Sequence, residues 1–511
     1  MVTGGDATTF AQVWAASVAA RPDAPFLLFE SSAGEVTQWS YGEFDSVVAR
    51  VAGFLLEHEV DENASIHLAL TNSPTFVAVW LASVRLGAWI VPSDPQGTSS
   101  EFADHIDRTQ PVIGFCASSR SDTYQQAVPS GMAVVEIDED DTSFAVFGDS
   151  PCSTWPELPL LDVAAVMFTS GTTGRPKGVE ITQANYAFAG KIMAEATTLT
   201  SADRHIVVLP LFHANAQYYS FASAIWVGAS VALMHTFSAT RFLEQCARHQ
   251  ATVASLFAAP IRMILARSAP TTGLVLRHCW FAQNLAEDQY DTITAWLGCR
   301  PRQLYGMTET IPAVLSDGAD LPRADTMGGV TAGCEVDIHD ADGQTVPQGD
   351  PTNVGEIVVG GEPGLTLFAG YLDDPETTAA SFRDGWFLTG DRAGRDSDGR
   401  FFFDGRRSDV LKVAGENVST VEVEAVLTAH PAVLEASVVG APDEIRDEVP
   451  VAFVVAANAD EPPDVHELHA WCEQSLGKAK RPREITLLPE LPRTSVGKIR
   501  KFLLKDEVQL T

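Results

Sequence analysis

A loop rich in glycine and hydroxyl groups reads Thr169-Ser170-Gly171-Thr172-Thr173-Gly174-Arg175-Pro176-Lys177-Gly178. It follows Ala164 to Phe168, an apolar run that is typical of a buried strand. Its three glycines allow backbone N–H groups to turn toward phosphate oxygens, and its four hydroxyl side chains add donors. Lys177 contributes a positive charge. The stretch therefore predicts a loop that binds phosphate.

The spacing of this loop differs from that of a Walker A loop. A Walker A loop has four residues between its glycines and then Gly-Lys-Ser/Thr at the start of a helix. Here only two residues separate Gly171 from Gly174, and Pro176 is incompatible with a helix that runs through Lys177. A P-loop kinase or ATPase, which would release ADP, is therefore disfavoured.

The segment before the loop alternates helical and strand patterns, which predicts parallel βαβ units. Ser73 is the expected cap of one helix, because Pro74 follows it at the first helical position. The predicted helices are Phe10 to Ala20, Tyr41 to His58 and Pro74 to Leu86, and the predicted strands are Ile66 to Leu70 and Ala88 to Val91.

After the loop in the sequence, buried strands are predicted at Ile206 to Leu209, Val231 to Met234 and Val253 to Phe257. Short β-branched runs between turn signals then predict a small antiparallel β subdomain at about residues 328–403. Helical and strand patterns alternate again after Ser419. The charged, turn-like segment from Asp404 to Asp409 precedes this region, so we expect a domain boundary there, with domains at 1–407 and 408–511.

Composition excludes several classes of function. Hydrophobic residues make up 45% of the 511 positions and charged residues 20%, which is ordinary globular usage for a chain of several domains. Lys and Arg number 34 against 67 Asp and Glu, which gives a net charge of −33. Such a surface repels phosphate backbones and anionic lipid, so nucleic-acid and membrane-surface partners are disfavoured. An anionic substrate must be met by local positive groups.

Cysteine usage and the first residues predict a cytoplasmic protein. Seven cysteines, an odd number, are scattered without a CxxC pair, which is typical of reduced thiols. Residues 1–24 do not have the pattern of a secretory signal. No apolar stretch is long enough to span a membrane. The composition is compatible with a monomer or a dimer.

The loop and the motifs that follow it resemble the adenylate-forming superfamily, which includes acyl-CoA synthetases, nonribosomal-peptide adenylation domains and luciferases. The resemblance covers essentially the whole chain and lies closest to the acyl-CoA ligase-like branch. It implies an α/β fold, with a large N-terminal domain of mixed, mostly parallel sheets and a small mobile α+β lid at the C-terminus. The further motifs, in the order of the family, are Leu209 to His213, Tyr305 to Thr310, Gly385 to Asp391, Gly405 to Asp409, Gly415 to Asn417 and Pro492 to Lys498.

The resemblance implies ATP and Mg²⁺ as cofactors and assigns roles in the N-terminal domain. Glu309 would ligate Mg²⁺, which prefers a carboxylate together with phosphates and waters. Thr308 would contact the α-phosphate, and Tyr305 and Gly306 would lie beside the adenine. The residues that would hold the β- and γ-phosphates are Thr169, Ser170, Gly171, Thr172, Thr173, Gly174 and Lys177.

Further roles follow from the later motifs. Asp391 would bind the ribose hydroxyls, since one carboxylate can accept from two neighbouring donors. Arg406 would support the same ribose or the phosphate. Lys498 would bridge the acid oxygen and the α-phosphate from a lid that moves after the first step. Ser408 occupies the hinge position, where much of the family carries Lys or Asp.

The acid pocket departs from that of ordinary acyl ligases. Their Ser-Gly-Gly-Ala-Pro-like stretch is replaced by Phe281-Ala282-Gln283-Asn284-Leu285, and Gln283 and Asn284 narrow the cavity and add amides. Behind His213, the residue expected to gate the pocket, Asn215 and Gln217 make the lining polar, whereas a fatty-acid tunnel would be aliphatic. These residues predict a small or polar acid.

Two acids remain open within the superfamily. In the first interpretation a small carboxylate is adenylated and passed to a thiol, with coenzyme A favoured as acceptor because Gly415-Glu416-Asn417 matches the loop beside which the thiol enters. In the second, nitrite is adenylated and nitrosates an aryl amine, as in ATP-dependent diazotases of specialised metabolism. The carboxylate is favoured. A non-catalytic nucleotide-binding relative would lack Glu309, Asp391 or Lys498, and all three are present.

Overall fold

The computed structural model describes residues 8–169, 176–318, 322–406, 410–413, 416–443, 446–493 and 499–509. The chain divides into two compact units. The first comprises Met1–Val336 with Val359–Phe387, and the second comprises Asp337–Val358 with Leu388–Thr511. The domain boundary expected between residues 407 and 408 stays a prediction.

The helices lie in both units. They are α1 (Phe10–Ala20), α2 (Tyr41–Glu57), α3 (Pro74–Leu86), α4 (Ser99–Thr109), α5 (Ser121–Gln125), α6 (Gln183–Ala196), a π-helix (Asn215–Ala222), α7 (Ser223–Val227), α8 (Phe242–Arg248), α9 (Ala258–Arg267), α10 (Glu287–Leu297), α11 (Pro375–Ala380), α12 (Thr420–Thr428), α13 (Val465–Ser475) and α14 (Lys501–Gln509).

The strands alternate with these helices. They are β1 (Pro25–Glu30), β2 (Val36–Ser40), β3 (Ser65–Ala69), β4 (Trp89–Pro92), β5 (Ile113–Ala117), β6 (Ala133–Ile137), β7 (Val163–Thr169), β8 (Lys177–Thr182), β9 (Arg204–Val207), β10 (Ser230–Met234), β11 (Val253–Phe257), β12 (His278–Ala282), β13 (Arg302–Tyr305), β14 (Leu315–Ser316), β15 (Gly329–Val330), β16 (Glu335–His339), β17 (Gly355–Gly360), β18 (Gly370–Tyr371), β19 (Phe382–Arg383), β20 (Trp386–Arg395), β21 (Phe401–Arg406), β22 (Val410–Val413), β23 (Glu416–Ser419), β24 (Val433–Asp443), β25 (Asp447–Ala456) and β26 (Glu484–Leu488).

Local sequence explains where these elements begin. The Ser73 hydroxyl accepts from the Phe76 N–H, 3.2 Å away, and Pro74 occupies the first turn, so α3 has the predicted start. The helix ends at Gly87, whose φ of 77° is left-handed. The predicted strand at Ile206 begins two residues earlier, because Arg204 and His205 already pair with β10.

A seven-stranded sheet of the first unit has the order β18-β8-β7-β4-β3-β5-β6. Its β3, β4 and β5 pair in parallel, which confirms the βαβ units expected there. In contrast, β7 and β8 are antiparallel neighbours. The glycine-rich loop therefore connects two strands of one hairpin.

A nine-stranded sheet of the same unit has the order β15-β14-β13-β12-β11-β9-β10-β1-β2. Because β11, β12 and β13 run in parallel, their carboxyl ends lie at one edge of the sheet. Loops that follow such ends commonly form binding sites. The segments with Gln283 and Glu309 follow β12 and β13 at this edge. One face of the sheet carries a core built from β9, β11, β12, α8, α9 and α10.

The second unit has its own cores. A five-stranded sheet, with order β23-β22-β25-β24 and β26 beside β25, packs against α12 and α13 on one core and α14 on another. Also in this unit, β20 and β21 pair antiparallel through Asp391 and Arg406. The chain passes between the units inside the segment predicted as a β subdomain. None of the helices in the described part of the chain has the length and apolar content of a membrane span.

Candidate functional site

The β7–β8 hairpin brings two predicted phosphate ligands face to face. Thr169 pairs with Lys177 in the register of the two strands, at the end where the strands stop pairing. Both side chains are half-buried. The remaining predicted members of the loop, Ser170, Gly171, Thr172, Thr173 and Gly174, lie outside the described residues.

Tyr371 connects this hairpin to Glu309. Its strand β18 pairs with β8, with Tyr371 opposite Val179. The Lys177 Nζ lies 4.6 Å from the centre of the Tyr371 ring, which is a cation–π distance. The Tyr371 hydroxyl donates to the Glu309 Oε1 at 3.1 Å. A cation, a phenol and a carboxylate therefore form one contiguous group, and sequence reasoning missed its middle member.

Burial sets the charge states in this group. Burial and then the neighbouring Glu309 carboxylate raise the pKa of Tyr371 well above its usual value. The phenol therefore stays a protonated donor at neutral pH. Glu309 is only 4% exposed. The Glu309 carboxylate is therefore a buried anionic group that the Tyr371 hydroxyl orients, and each carboxylate oxygen can accept from more than one partner.

This donor set fits Mg²⁺ held partly by a substrate. Among the described residues, no cluster of three or more His, Cys, Asp or Glu side chains is arranged to hold a metal ion. Mg²⁺ commonly binds through one or two carboxylates and completes its shell with phosphate oxygens and waters. The single carboxylate of Glu309 suits that mode of binding and does not suit an all-protein metal site.

The loop after β13 has little free space. A Cβ atom on Gly306 would lie 2.9 Å from the Tyr219 hydroxyl and 2.9 Å from the Pro312 carbonyl, so only glycine fits. Thr308 and Glu309 follow in a short 3-10 turn, which the Thr310 side chain closes onto the Met307 N–H. Tyr305 and Thr308 are half-buried beside it.

Ile311 has a strained backbone directly after this turn. Its φ is 70°, which a β-branched residue rarely adopts, and its side chain is fully buried. Strain of this kind persists only when the surroundings impose it, and it is frequent near functional sites. The backbone next to Glu309 is therefore held in one conformation by its packing.

Asn72 anchors the segment of His213. Its Oδ1 accepts from the Leu211 N–H at 2.8 Å, and its Nδ2 donates to the Leu209 and Met234 carbonyls. His213 is half-buried, and its ring centre lies 4.5 Å from that of Phe212. The π-helix Asn215–Ala222 begins two residues later. π-Helices are rare in proteins, and those that occur often lie at functional sites.

The two predicted pocket residues of the π-helix differ in what they contact. Gln217 is fully buried, donates to the Leu211 carbonyl at 2.6 Å and accepts from the Tyr186 hydroxyl. Both ends of its amide are therefore used in the core. Asn215 is 8% exposed, and its Oδ1 has no hydrogen-bond partner among the described residues. Asn215 is the better candidate for contact with a polar ligand.

The three pocket residues predicted at and after the end of β12 differ in how far they are buried. Phe281 is fully buried in the core with its ring 6.0 Å from that of Tyr290, so the structure assigns it to packing. Gln283 and Asn284 are exposed. Gln283 has a φ of 74°, a conformation suited to glycine. Asn284 accepts from Gln303 Nε2 at 2.9 Å.

Polar atoms missed by sequence reasoning lie on the other face of β11 and β12. Ser255 pairs with Trp280 in the strand register, and the His278 and Trp280 rings are 4.2 Å apart. All three side chains are buried, and the Ser255 hydroxyl, the Trp280 N–H and both His278 nitrogens lack partners among the described residues. Burial lowers the pKa of His278, so this ring stays neutral. Three neutral polar side chains, those of Ser255, His278 and Trp280, therefore lie close together on this face.

The second unit brings together two other predicted ligands. Asp391 lies opposite Arg406 in the β20–β21 pair, and its Oδ1 accepts from the Arg406 Nε at 3.0 Å. The Asp391 N–H donates to the Thr389 hydroxyl, which itself donates to the Ile357 carbonyl. Asp391 is 5% exposed. Ser408 and Lys498 lie outside the described residues.

Comparison with known proteins decides the family. The family model described as AMP-binding enzyme matches residues 14–372, which is more than half of the chain, and the model of its C-terminal domain matches residues 422–498. The chain belongs to the AMP-binding enzyme family. This confirms the adenylate-forming superfamily and its acyl-CoA ligase-like branch.

Relatives of this AMP-binding enzyme match over nearly their whole length. A crotonobetaine/carnitine–CoA ligase of Salmonella typhimurium is 33% identical, covering 97% of this chain and 98% of the relative. The ATP-bound structure of MatB from Rhodopseudomonas palustris has a TM-score of 0.87 at 27% identity, covering 98% and 99% of the two chains. The AMP complex of the o-succinylbenzoate–CoA synthetase MenE from Bacillus subtilis has a TM-score of 0.84 at 27% identity, covering 97% and 98%. The predicted fold class is confirmed.

Proposed function

We propose that this AMP-binding enzyme is an AMP-forming acid–CoA ligase. An acid oxygen attacks the α-phosphate of ATP, the bond to the bridging oxygen breaks, and pyrophosphate leaves with that electron pair. The thiol sulfur of coenzyme A then attacks the acyl carbon, loses its proton to solvent, and expels AMP. The contiguous group Lys177, Tyr371 and Glu309 carries this proposal, and the names of the relatives support its CoA-ligase class.

The first unit would bind the triphosphate. Thr169 and Lys177 would contact the β- and γ-phosphates, and Thr308 the α-phosphate. Glu309 would hold Mg²⁺, which neutralises charge on the phosphate oxygens when bound. Positioning and charge neutralisation account for most of the catalysis of such a displacement. Tyr371 would keep the Glu309 carboxylate in place, because its hydroxyl stays protonated.

The remaining contacts would involve adenosine and the lid. Tyr305 and Gly306 would lie beside the adenine, and Asp391 would accept from the ribose hydroxyls. Arg406 already donates to the Asp391 carboxylate and would keep it oriented. Lys498 would bridge the acid oxygen and the α-phosphate, with Ser408 as the hinge of a C-terminal lid.

The acid would be small or polar. Asn215 offers a buried carbonyl oxygen that has no partner among the described residues, and the exposed amides of Gln283 and Asn284 occupy the loop where ordinary ligases have small residues. His213 would gate this pocket. Nitrite would fit the same polar description, and a nitrite-dependent diazotase is the other outcome of the test below.

Pyrophosphate release tests the proposal. The purified chain is given ATP, Mg²⁺ and a panel of small acids that includes nitrite, with and without coenzyme A. We expect one carboxylate to drive release and a CoA thioester to form. Release driven by nitrite and completed only by an aryl amine would establish the diazotase and remove coenzyme A from the mechanism.

A lysine variant tests the catalytic assignment. Lys498→Ala should bind ATP normally but lose acid-dependent pyrophosphate release, because the bridging ammonium is absent. Lys505→Ala removes a lysine from the same C-terminal segment and should release pyrophosphate like the wild type. Equal release by the two variants would contradict the role of Lys498.

A further inference from the structure

We infer that Arg108 of α4 is a positioning residue that gives the triphosphate end of the nucleotide site its shape and part of its positive charge. The inference rests on the proposed nucleotide site and adds a residue that lies 68 positions before Pro176 in the sequence. Arg108 belongs to α4, which lies outside the sequence motifs on which the resemblance to the superfamily rests.

One guanidinium contacts β7 and the residue that directly precedes β8. The Arg108 Nη1 donates to the Pro176 carbonyl at 2.7 Å. The same guanidinium lies over the Phe168 ring, with its carbon 4.6 Å from the ring centre. Pro176 directly precedes Lys177, and Phe168 directly precedes Thr169. Arg108 therefore fixes the residue next to each described phosphate ligand.

His105 strengthens this support from the preceding turn of α4. Its ring stacks on the Phe168 ring with centres 4.0 Å apart and planes only 5° from parallel. Its Nδ1 is 2.7 Å from the Ser93 hydroxyl, which lies 2.9 Å from the His67 Nε2. The His67 Nδ1 in turn lies 2.7 Å from the Tyr124 hydroxyl. This chain of polar contacts, most of which are buried, links α4 to the seven-stranded sheet, so the helix forms a platform under the hairpin.

The charge of Arg108 matters because the whole chain is strongly acidic. With a net charge of −33, the protein does not attract ATP by its overall field. The Arg108 side chain is 18% exposed, and its ion pair with Asp104 is long at 3.4 Å. Asp104 and Asp374 offset part of its charge, and the guanidinium adds a second cation to Lys177 at this end of the hairpin. The resulting gain in affinity should come mainly from the β- and γ-phosphates, which ATP has and AMP lacks.

A matched pair of arginine variants tests the inference by nucleotide binding. Arg108→Ala should weaken binding of ATP about tenfold, the scale of a hydrogen bond from a charged group, and should change binding of AMP little. Arg108→Lys retains the charge and should recover part of the loss. Arg120→Ala is the control, since Arg120 also donates to two carbonyls of the first unit, those of Pro95 and Gly97. Equilibrium binding measured without any acid gives the dissociation constants of ATP and AMP, and their ratio is compared between the variants and the wild type.

Two outcomes would overturn the inference. Equal weakening of ATP and AMP by Arg108→Ala would show a general structural defect, and so would an equal effect of Arg120→Ala. The binding ratio does not depend on the acid. A chain that binds ATP with the expected ratio but releases no pyrophosphate with any acid would therefore refute the proposed function and leave the role of Arg108 intact.

Discussion

The Tyr371 hydroxyl donates to the Glu309 carboxylate across 62 positions of sequence. Tyr371 belongs to β18 of the seven-stranded sheet, and Glu309 follows β13 of the nine-stranded sheet. The Phe368 N–H also donates to the Glu309 backbone carbonyl at 3.0 Å. The two sheets of the first unit are thus joined at the proposed Mg²⁺ ligand, and Lys177 contacts the ring of the same tyrosine.

Removal of this hydroxyl should impair the chemistry more than the fold. Tyr371→Phe keeps the ring under Lys177 but leaves the buried carboxylate without its phenol donor. We expect pyrophosphate release to slow about tenfold, and the Mg²⁺ concentration for half-maximal rate to change, because the carboxylate is no longer oriented. Rates measured over a series of Mg²⁺ concentrations check this.

Tyr290→Phe is the matched control. The Tyr290 hydroxyl is also buried and donates to the Pro301 carbonyl at 2.7 Å, and no role in nucleotide binding is proposed for it. This variant should lose some stability and keep the wild-type dependence on Mg²⁺. The same change in that dependence for both variants would show that Tyr371 acts only through the fold.

A glycine at position 283 should stabilise the chain and alter its choice of acid. Gln283 has a φ of 74°, so Gln283→Gly should raise the free energy of unfolding by about 1 kcal/mol. Removal of its side chain, together with Asn284→Ala, should admit larger acids. Thermal unfolding and pyrophosphate release over acids of increasing size check the two effects separately.

Gln250→Gly separates strain from specificity. Gln250 also has a left-handed φ of 50°, and it follows α8, so its replacement should relieve strain without changing the acid preference. If the double variant at positions 283 and 284 keeps the wild-type order of acids, the pocket argument fails even when its stability rises.

Local patterns predicted the elements that local interactions define. Ser73 and Pro74 mark the start of α3 within the sequence itself, and the predicted bounds of that helix are confirmed. The apolar run before Thr169 is the strand β7. The motifs also named Asp391 and Arg406, and the antiparallel β20–β21 pair brings them together.

The residues that sequence reasoning missed make their contacts with residues far away in the sequence. Arg108 donates to a carbonyl 68 positions away, and no periodicity or spacing marks it. Tyr371 lies in a strand of two residues, too short for a strand pattern. For Phe281 the motif predicted a place in the pocket. The side chain instead packs in the core together with Cys279, two residues earlier on the same face of β12.

Asp391 should recognise the part of the nucleotide that ATP and AMP share. Asp391→Asn removes the charge that pairs with Arg406 and weakens acceptance from the ribose hydroxyls. We expect affinity for both nucleotides to fall about tenfold, unlike the ATP-selective loss in Arg108→Ala. Asp398→Asn, in an exposed turn of the same unit, should bind both normally. A loss confined to ATP would contradict the ribose assignment.

Acid should destabilise the platform under the hairpin. Burial lowers the pKa of His105 to about 4, with Asp104 opposing and Arg108 adding to the shift, and burial also lowers the pKa of His67. In the unfolded chain histidine has a pKa of about 6.5. Below that pH the unfolded state binds more protons, so the stability that the neutral rings provide is present above about pH 6.5 and is lost as the pH falls toward about 4.

An asparagine at position 105 should flatten this dependence. His105→Asn keeps a hydrogen-bonding group near Ser93 but cannot titrate, so its unfolding free energy should fall less between about pH 6.5 and about pH 4 than that of the wild type, by about 2 kcal/mol. His466→Asn removes an exposed histidine of the second unit and should leave the wild-type slope unchanged. Urea unfolding at several pH values in this range gives the slopes. Parallel slopes for His105→Asn and the wild type would show that His105 does not carry the acid sensitivity.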